Sequence, residues 1–383
     1  MSVTLDRARD LAPMIAAQSA AIEAERRVPA SLIAALREAG IFRMYVPRTH
    51  GGDELSSLEV VQVIEELSRA DASVGWVSTI GANSPAIFAL LPPTTYDAIY
   101  ANGPDVIQAG SLVPRGRAIP VAGGYRFTGQ WPFASGCDHA DYCMFAAFVE
   151  QDGDPAVGGR PEVRFGVVPA GVVEILDTWY VSGLKGTSSH DIVATELFVD
   201  ADWTASFFAP APVVRHPLDR VRPLGRLGLE LAAVAVGTAQ AALEDLIEIA
   251  TTKKPLGGLL KRLAEEPVFQ HTVGGLDADV RTARTLLHET ATRDYQRATA
   301  GEDLDQRALL ERLTALKRVG EIATAVVDRA YHEAGTTGLF ESSPLQRRLR
   351  DIHAVVQHVV FTSDSFTPAG ATLLGEPASG ILF

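Results

Sequence analysis

The chain has 383 residues, with 34 Lys or Arg against 47 Asp or Glu, which gives a formal net charge of -13 at pH 7. This acidic balance argues against a nucleic-acid-binding surface, because such surfaces depend on clustered Lys and Arg side chains. The length is sufficient for two or three domains, each with its own hydrophobic core.

Cysteine content and hydropathy indicate a soluble protein of a reducing cytoplasm. The two cysteines, Cys137 and Cys143, cannot form a disulfide scaffold, and their simplest role is that of small buried hydrophobic residues. The first ten residues lack the apolar core of a signal peptide. No apolar run reaches the ~20 residues that a membrane-spanning helix requires, so we expect no membrane span.

Residues 4 to about 100 are predicted to form helices. Ser56 and Glu59 form a capping box at the start of one helix, and apolar residues follow them at helical spacing. Asp71 is expected to cap the next helix, which runs through Trp76, and Pro85 is expected to open another. This part of the chain is predicted to be an α-helical domain.

From residue 106 the hydrophobic period changes to that of β-strands. Short β-favouring runs are separated by clusters of Gly, Pro and Asp. They predict strands at residues 106–113, 117–121, 125–131, 142–149, 162–168 and 192–199. Together these strands define a small all-β domain of ordinary size.

Helices return after a proline-rich connector. Residues 224–250 are apolar nearly all round, which is typical of a helix in the middle of a bundle. Residues 268–298 and 306–333 have the period of long amphipathic helices. A last helix is expected from Leu345 to about Phe361, followed by a Gly- and Pro-rich tail.

These patterns predict an α+β multidomain protein with three parts. Residues 1–104 form an N-terminal α-helical domain and residues 105–208 a central small β-barrel or sandwich. Residues 209–383 form a C-terminal antiparallel four-helix bundle.

Motifs spread over nearly the whole chain resemble those of the acyl-CoA dehydrogenase superfamily. The N-terminal matches lie in residues 37–42, 46–52 and 65–76. The C-terminal matches lie in residues 335–338 and 344–347, and in the pair Arg350-Asp351. The resemblance implies an acyl-CoA-dehydrogenase-like fold, whose domain order is the one predicted above.

One departure distinguishes this chain from the dehydrogenases of that superfamily. Those enzymes carry a catalytic Glu shortly after the Arg-Asp pair, whereas here no carboxylate follows Asp351 until Asp364, and His358 lies near the expected position. The departure resembles the flavin-dependent monooxygenases of two-component systems. Four separated segments carry that likeness, at residues 131–140, 183–191, 350–358 and 373–375.

This resemblance implies a reaction as well as a fold. A separate reductase would supply reduced FMN or FAD, which reacts with O₂ to form a C4a-hydroperoxyflavin that passes its distal oxygen to an electron-rich substrate. The pocket must exclude water, because an exposed peroxide adduct loses hydrogen peroxide. We therefore expect the hydroxylation of an aromatic or polycyclic small molecule.

The resemblance also implies roles for individual residues. Ser135, in a glycine-flanked turn, is expected to reach the N5/C4a edge of the flavin. His358 is expected to act as a general base or to position the peroxide, because an imidazole titrates near neutrality. Trp76, His139 and His358 are expected in the substrate pocket. The expected cofactor-binding residues are Trp131, Phe133, Ala134, Ser135, Gly136, Thr187, Ser188 and Ser189.

Structural alternatives to these roles exist. A Ser beside a Gly commonly bonds its own backbone, and a lone His on a helix is usually a satisfied core or surface residue. His353, five residues before His358, lies on another face of the predicted helix and serves as the comparison. No spacing of His, Cys and carboxylates indicates a metal site.

Three other functions stay open from the sequence. They are a true acyl-CoA dehydrogenase, an N-oxygenase that acts on an amine such as an amino sugar, and a non-catalytic binding or assembly module that retains the fold. In this superfamily a neighbouring subunit often completes the flavin site. The long apolar bundle helices therefore predict a homotetramer.

Overall fold

The computed structural model describes residues 2–150, 156–157, 160–206, 213–221, 223–253, 262–302 and 305–377. In these ranges helices form both ends of the sequence and a β-sheet lies between them. The predicted α+β order of helices, sheet and helices is confirmed. The predicted boundary at residues 208–209 lies outside the described residues, and the limits of the three domains stay a prediction.

Local capping signals account for the N-terminal helices. The Ser56 side chain accepts a hydrogen bond from the Glu59 amide, while the Glu59 carboxylate accepts one from the Ser56 amide at 2.9 Å, so the capping box is confirmed. Asp71 caps the next helix, as predicted. The helices are α1 (Val3–Glu25), α2 (Ala30–Glu38), α3 (Ser57–Ala70), α4 (Ala72–Ala82), α5 (Ser84–Phe88) and α6 (Pro93–Ile99).

The central strands form one large sheet and one separate pair, β5 with β6. The strands are β1 (Gln108–Ser111), β2 (Arg117–Val121), β3 (Gly124–Trp131), β4 (Tyr142–Val149), β5 (Ala156–Val157), β6 (Arg160–Pro161), β7 (Val163–Pro169), β8 (Glu174–Leu176), β9 (Asp191–Asp200) and β10 (Thr204–Ser206). The large sheet has the order β10-β7-β4-β2-β3-β9-β8, and β1 pairs with β4. The strands β5, β6, β8 and β10 were not predicted, because two or three residues are too few to show a period of two.

The pairing of β3 with β9 continues beyond the sheet. The two strands are antiparallel, with Trp131 opposite Ile192. Past that point the Ala134 amide donates to the His190 carbonyl at 3.0 Å, and the Gly136 amide donates to the Thr187 carbonyl at 2.8 Å. Two predicted site segments, 133–136 and 187–190, therefore run side by side.

The C-terminal helices include the longest in the described part of the chain. They are α7 (Pro223–Thr252), α8 (Pro267–Ala300), α9 (Gln306–Ala334), α10 (Pro344–Val355), α11 (Val359–Thr362) and α12 (Phe366–Leu373). Residues Gly225–Thr252 are long and apolar enough to cross a membrane, but 83% of the most apolar window is buried inside the protein. This segment is the central helix of the bundle, in contact with α3, α8 and α9.

The predicted last helix is wrong in one respect that affects the site. It does not continue to Phe361 but ends at Val355, and a new helix, α11, begins after His358. The His358 ring accepts the Val360 amide through Nδ1 at 3.3 Å and so acts as the N-cap of α11. Part of the predicted Gly- and Pro-rich tail instead forms α12.

Two glycines allow helices to approach α3 closely. A Cβ atom on Gly75 of α4 would lie 1.9 Å from the Ser68 Oγ atom. A Cβ atom on Gly237 of α7 would lie 2.4 Å from the Glu65 carbonyl oxygen, which belongs to the backbone and cannot rotate away. The contact between α3 and α7 therefore depends on the absence of a side chain at position 237.

We expect Gly237→Ala to lower the free energy of unfolding by ~1–3 kcal/mol, because the added methyl group forces α3 and α7 apart. The matched control is Gly274→Ala in α8, where an added Cβ meets no atom within 4 Å. That change should raise the stability by ~1 kcal/mol through helix propensity. Urea denaturation of both variants measures the difference, and equal stabilisation would contradict the proposed close contact.

Candidate active site

A cavity of about 900 Å³ lies where the N-terminal helices, the sheet and the C-terminal helices meet. Its walls come from α4 and α5, from β1 and the turn after it, from the segments that follow β3 and precede β9, and from the chain around the end of α10. Most lining side chains are apolar, with a few polar groups among them. The volume and the lining are those of a site for an organic ligand.

Six predicted site residues line this cavity. They are Trp76, Phe133, Ser135, Thr187, Ser189 and His358. The β3–β9 pairing brings Ser135 next to Ser189. The break after α10 brings His358 next to Trp76, and the centroids of these two rings lie 5.9 Å apart. His353, the comparison residue, also lines the cavity and bonds Asp328 at 2.9 Å.

Trp131 does not line the cavity, which corrects its expected contact with the cofactor. Its side chain is fully buried and stacks on Phe145, with 4.7 Å between ring centroids. The indole Nε1 donates to the Ala146 carbonyl at 2.5 Å. Trp131 therefore belongs to the core of the sheet, because it is the last inward-facing residue of β3.

Four other predicted residues also lie behind the cavity wall. The backbone amides of Ala134 and Gly136 donate hydrogen bonds to His190 and Thr187, in the segment that precedes β9. The Ser188 hydroxyl donates to the Asp138 carboxylate, and His139 bonds the Val28 carbonyl through Nε2 at 2.7 Å. These contacts fix the shape of the loops, and they do not support direct roles in ligand binding.

A chain of buried hydroxyl groups begins at the predicted catalytic serine. The Trp76 indole donates to the Ser135 oxygen at 3.0 Å, and the Ser135 and Ser189 oxygens lie 2.6 Å apart. The Ser189 and Thr187 oxygens lie 2.7 Å apart. The chain ends where the Thr187 hydroxyl donates to the Leu184 carbonyl at 2.8 Å.

The two ends of this chain determine its direction. An indole N–H only donates and a carbonyl only accepts, so each hydroxyl between them must donate toward Leu184. Ser135 therefore donates to Ser189, and Ser189 donates to Thr187. Because the chain ends on a carbonyl, it orients the hydroxyl groups and does not carry protons to solvent.

The Arg350-Asp351 pair holds the far end of this chain. The Arg350 guanidinium donates to the Ser182 carbonyl at 2.7 Å, and the buried Asp351 carboxylate accepts the Leu184 amide at 2.7 Å. Burial, together with the nearby charge of Asp71, raises the pKa of Asp351 to about 7. The pair thus links α10 to the loop that carries Leu184, which gives this motif a structural role.

Burial also controls His358. It lowers the pKa of the imidazole to about 4, so the ring is neutral at pH 7. Since Nδ1 accepts the Val360 amide, the ring hydrogen is assigned to Nε2. His358 therefore presents an N–H donor rather than a basic nitrogen.

Sequence reasoning missed two lining residues, Asn83 and Gln108. Both side chains are buried, at 7% and 5% exposure, and both belong to the cavity wall. Helical spacing could have identified Asn83, because Trp76, Ile80 and Asn83 follow one another at intervals of four and three residues. Gln108 has no such signal, since it stands alone in a short buried strand.

This fold, with an apolar cavity between a small sheet and a helical bundle, defines an acyl-CoA-dehydrogenase-like protein. The family description "Acyl-CoA dehydrogenase, N-terminal domain" matches residues 4–91, and "Acyl-CoA dehydrogenase, C-terminal domain" matches residues 229–363.

Three relatives locate the chain within that superfamily. It is 33% identical to the indole-3-acetate monooxygenase of Pseudomonas putida over 361 residues, which cover 94% of this chain and 90% of that protein. It is 33% identical to the oxygenase component of the FADH₂-dependent resorcinol hydroxylase of Rhizobium sp. (strain MTP-10005), covering 98% and 94%. The crystal structure of the 3-HSA hydroxylase from Rhodococcus sp. RHA1 superposes with a TM-score of 0.90 at 25% identity, covering 99% and 98%.

The chain belongs to the acyl-CoA dehydrogenase superfamily, in its branch of flavin-dependent monooxygenase oxygenase components. It is a flavin-dependent monooxygenase that uses reduced flavin and O₂. The prediction made from the missing Glu and from the four motif segments is confirmed, and the dehydrogenase and non-catalytic alternatives are set aside.

We expect His358→Asn to make stability less dependent on pH. A His in the unfolded chain has a pKa near ~6.5, whereas the pKa of His358 in the folded protein is about 4. The unfolded state therefore binds more protons between these values, and the wild type loses on the order of 3 kcal/mol as the pH falls from 6.5 to 4. Asn keeps a capping acceptor for Val360 but has no such titration.

Urea denaturation of both proteins at several pH values between 4 and 7 measures this effect. Asp351 contributes with the opposite sign, because its raised pKa stabilises the folded protein at low pH and this contribution is lost as the pH rises toward 7. Its contribution is common to both proteins and cancels in the comparison. Parallel curves for the wild type and His358→Asn would contradict a lowered pKa of His358 in the folded protein.

Proposed function

We propose that this monooxygenase hydroxylates an electron-rich aromatic small molecule with reduced flavin from a separate reductase. One observation carries the proposal: Ser135 and the neutral His358 meet at Trp76 in the wall of the same apolar cavity. Relatives named indole-3-acetate monooxygenase and resorcinol hydroxylase support an aromatic substrate. The name "oxygenase component" supports a reductase on a separate chain.

The cavity residues fit a flavin. Phe133 is 60% exposed although it is a large aromatic residue, and its φ of 65° lies in the left-handed region that non-glycine residues rarely adopt. Its ring stands edge-on to Trp179, with 6.3 Å between centroids. This exposed aromatic face would contact the planar ring system, while Ser135, held by Ser189 and Thr187, supplies a hydroxyl group. Bound reduced flavin reacts with O₂ and supplies the oxygen atom for transfer.

Ser135 can serve the flavin by turning its hydrogen. Its oxygen is held by the Trp76 indole at 3.0 Å, whichever way the hydroxyl points. To donate to the flavin edge, Ser135 must release Ser189, and Ser189 can then donate back to Ser135 only by releasing Thr187. The bond from Ser189 to Thr187 is lost and a bond from Ser135 to the flavin is gained, so the net cost of the exchange is within about 1 kcal/mol.

His358 is proposed to position an oxygen atom rather than to remove a proton. Its Nε2–H group is a donor, and its low pKa keeps the ring neutral at working pH. Of the two roles that the sequence left open, this geometry favours positioning. A donor at this place would hold a phenolic or peroxide oxygen close to the reacting ring.

The lining disfavours an amine substrate. No Asp or Glu belongs to the cavity wall among the residues that the structure describes. An ammonium group would therefore be buried without a counter-ion, which is costly. This observation argues against the N-oxygenase alternative.

The homotetramer and the cytoplasmic location remain part of the proposal. Large apolar side chains are exposed on the C-terminal part of the chain, among them Leu339, Phe340, Leu373 and Leu374. Exposed apolar side chains of this kind support contact with further copies of the chain.

We expect the purified protein, supplied with a flavin reductase, NADH and FMN or FAD, to transfer one atom of ¹⁸O₂ into a phenolic or indolic probe. Ser135→Ala should lower the ratio of product to released hydrogen peroxide about tenfold, because one donor to the flavin is lost. Mass spectrometry of the product and a peroxide assay measure the two amounts.

Ser188→Ala is the matched control for Ser135→Ala. It removes a buried hydroxyl from the same region, but one that bonds Asp138 and does not line the cavity. Its coupling ratio should stay near that of the wild type. Peroxide release without product from every probe would contradict the proposed function.

We also expect His358→Asn to reduce the rate of product formation about tenfold while the protein stays folded. Asn replaces the Nδ1 acceptor that caps α11 but does not reach the position of Nε2. His358→Gln, which is longer and can place an N–H group near that position, should recover part of the rate. His353→Ala is the comparison, and an equal loss in this variant would remove the reason for assigning the role to His358.

A further inference from the structure

The cavity extends well beyond Ser135 and His358. Trp76 and Asn83 lie seven residues apart along α4 and its C-terminal cap, and Ile80 lies between them on the same face. At 1.5 Å per residue this separation is about 10 Å. The wall from Trp76 to Asn83 therefore has the length of a two-ring aromatic molecule.

Asn83 places a side-chain amide in the wall at this remote end. Its Nδ2 atom donates to the Thr79 carbonyl at 3.0 Å and lies 3.4 Å from a Glu230 carboxylate oxygen. These contacts fix the orientation of the amide. The Oδ1 atom is buried and has no hydrogen-bond partner in the described part of the chain.

Gln108 places a second side-chain amide at the same end. Its backbone amide donates to the Ser84 hydroxyl at 2.9 Å, and Ser84 follows Asn83 directly. The Gln108 side chain lines the cavity and makes no hydrogen bond to any described residue, although it is only 5% exposed. A side-chain amide without a protein partner in a cavity wall is available to a ligand, and such a hydrogen bond contributes ~0.5–1.5 kcal/mol.

Formal charge is absent from the wall. No Lys, Arg, Asp or Glu lines the cavity in the ranges that the structure covers. Its histidines are His358, which is partly buried and neutral, and His353, which is half exposed and bonded to Asp328. A carboxylate on the ligand would find no counter-charge here, and its burial would be costly.

We propose that the substrate is an uncharged aromatic molecule about 10 Å long, whose end remote from Ser135 and His358 carries a neutral hydrogen-bonding group, and that Asn83 and Gln108 select this group. A hydroxyl suits the pair best, because it donates to the free Asn83 oxygen and accepts from the Gln108 amide. This inference rests on the proposed function, which places the reacting ring beside Trp76.

Three naphthols that differ only at position 6 test this selection. They are 2,6-dihydroxynaphthalene, 6-methyl-2-naphthol and 6-hydroxy-2-naphthoate. Equilibrium dialysis against the full-length protein with reduced FMN, under anaerobic conditions, gives each dissociation constant without oxygen transfer. The wild type should bind the dihydroxy probe about tenfold more tightly than the methyl probe, and the carboxylate most weakly.

Gln108→Leu should reduce that tenfold preference to near onefold without weakening binding of the methyl probe. The side-chain amide of Gln108 makes no hydrogen bond to any described residue, so its replacement should leave the protein stable. Asn83→Ala is a second test, and Met144→Leu is the matched control, because it changes an apolar lining residue and should keep the preference. Tightest binding of the naphthoate, or a preference that survives in both amide variants, would overturn the inference.

An aerobic assay with the same probes separates the two proposals. Selective binding, together with peroxide release but no product from any naphthol, would contradict the proposed function and would still support selection by Asn83 and Gln108. Hydroxylation of all three probes with equal dissociation constants would support the proposed function and contradict selection by Asn83 and Gln108.

Discussion

Two backbone hydrogen bonds place the reactive groups of this protein. The Ala134 and Gly136 amides extend the antiparallel pairing past the end of β3, toward His190 and Thr187. Between these two bonds, the Ser135 oxygen lies 2.6 Å from that of Ser189. The alignment of the hydroxyl chain is thus a consequence of strand register, which a shift of one residue would abolish.

The other end of the same chain depends on the helical bundle. Asp351 holds the Leu184 amide, and the Leu184 carbonyl accepts from both Thr187 and the Trp179 indole. Sheet and bundle therefore restrain one row of hydrogen bonds from opposite sides. A site built in this way requires both parts to be folded, and it explains why the Arg-Asp motif is far in sequence from the residues that it orients.

The sequence predicted this fold where the signal is local, and the site only in part. The capping box at Ser56, the period of α9 and the strand β4 are properties of neighbouring residues, and each was located to within a residue or two. Trp131 was misplaced because its type does not reveal which side of β3 it faces. The end of α10 was missed because a His side chain caps α11, which is outside the usual set of capping residues.

The polar groups of the cavity are of two kinds: some have hydrogen-bond partners within the protein, and others have none among the described residues. Ser189 and Thr187 are satisfied within the protein, so their contribution is to hold the position of Ser135. The Asn83 oxygen is buried without a partner among the described residues, and the Gln108 side-chain amide lines the cavity without a protein partner there, so both can gain a hydrogen bond from a ligand. Ser135 stands between these two cases, because the Trp76 indole fixes its oxygen while its hydrogen can turn. Binding at the reactive end then needs the rotation of two hydroxyl groups and no movement of the backbone, which is the form of preorganisation that electrostatic catalysis requires.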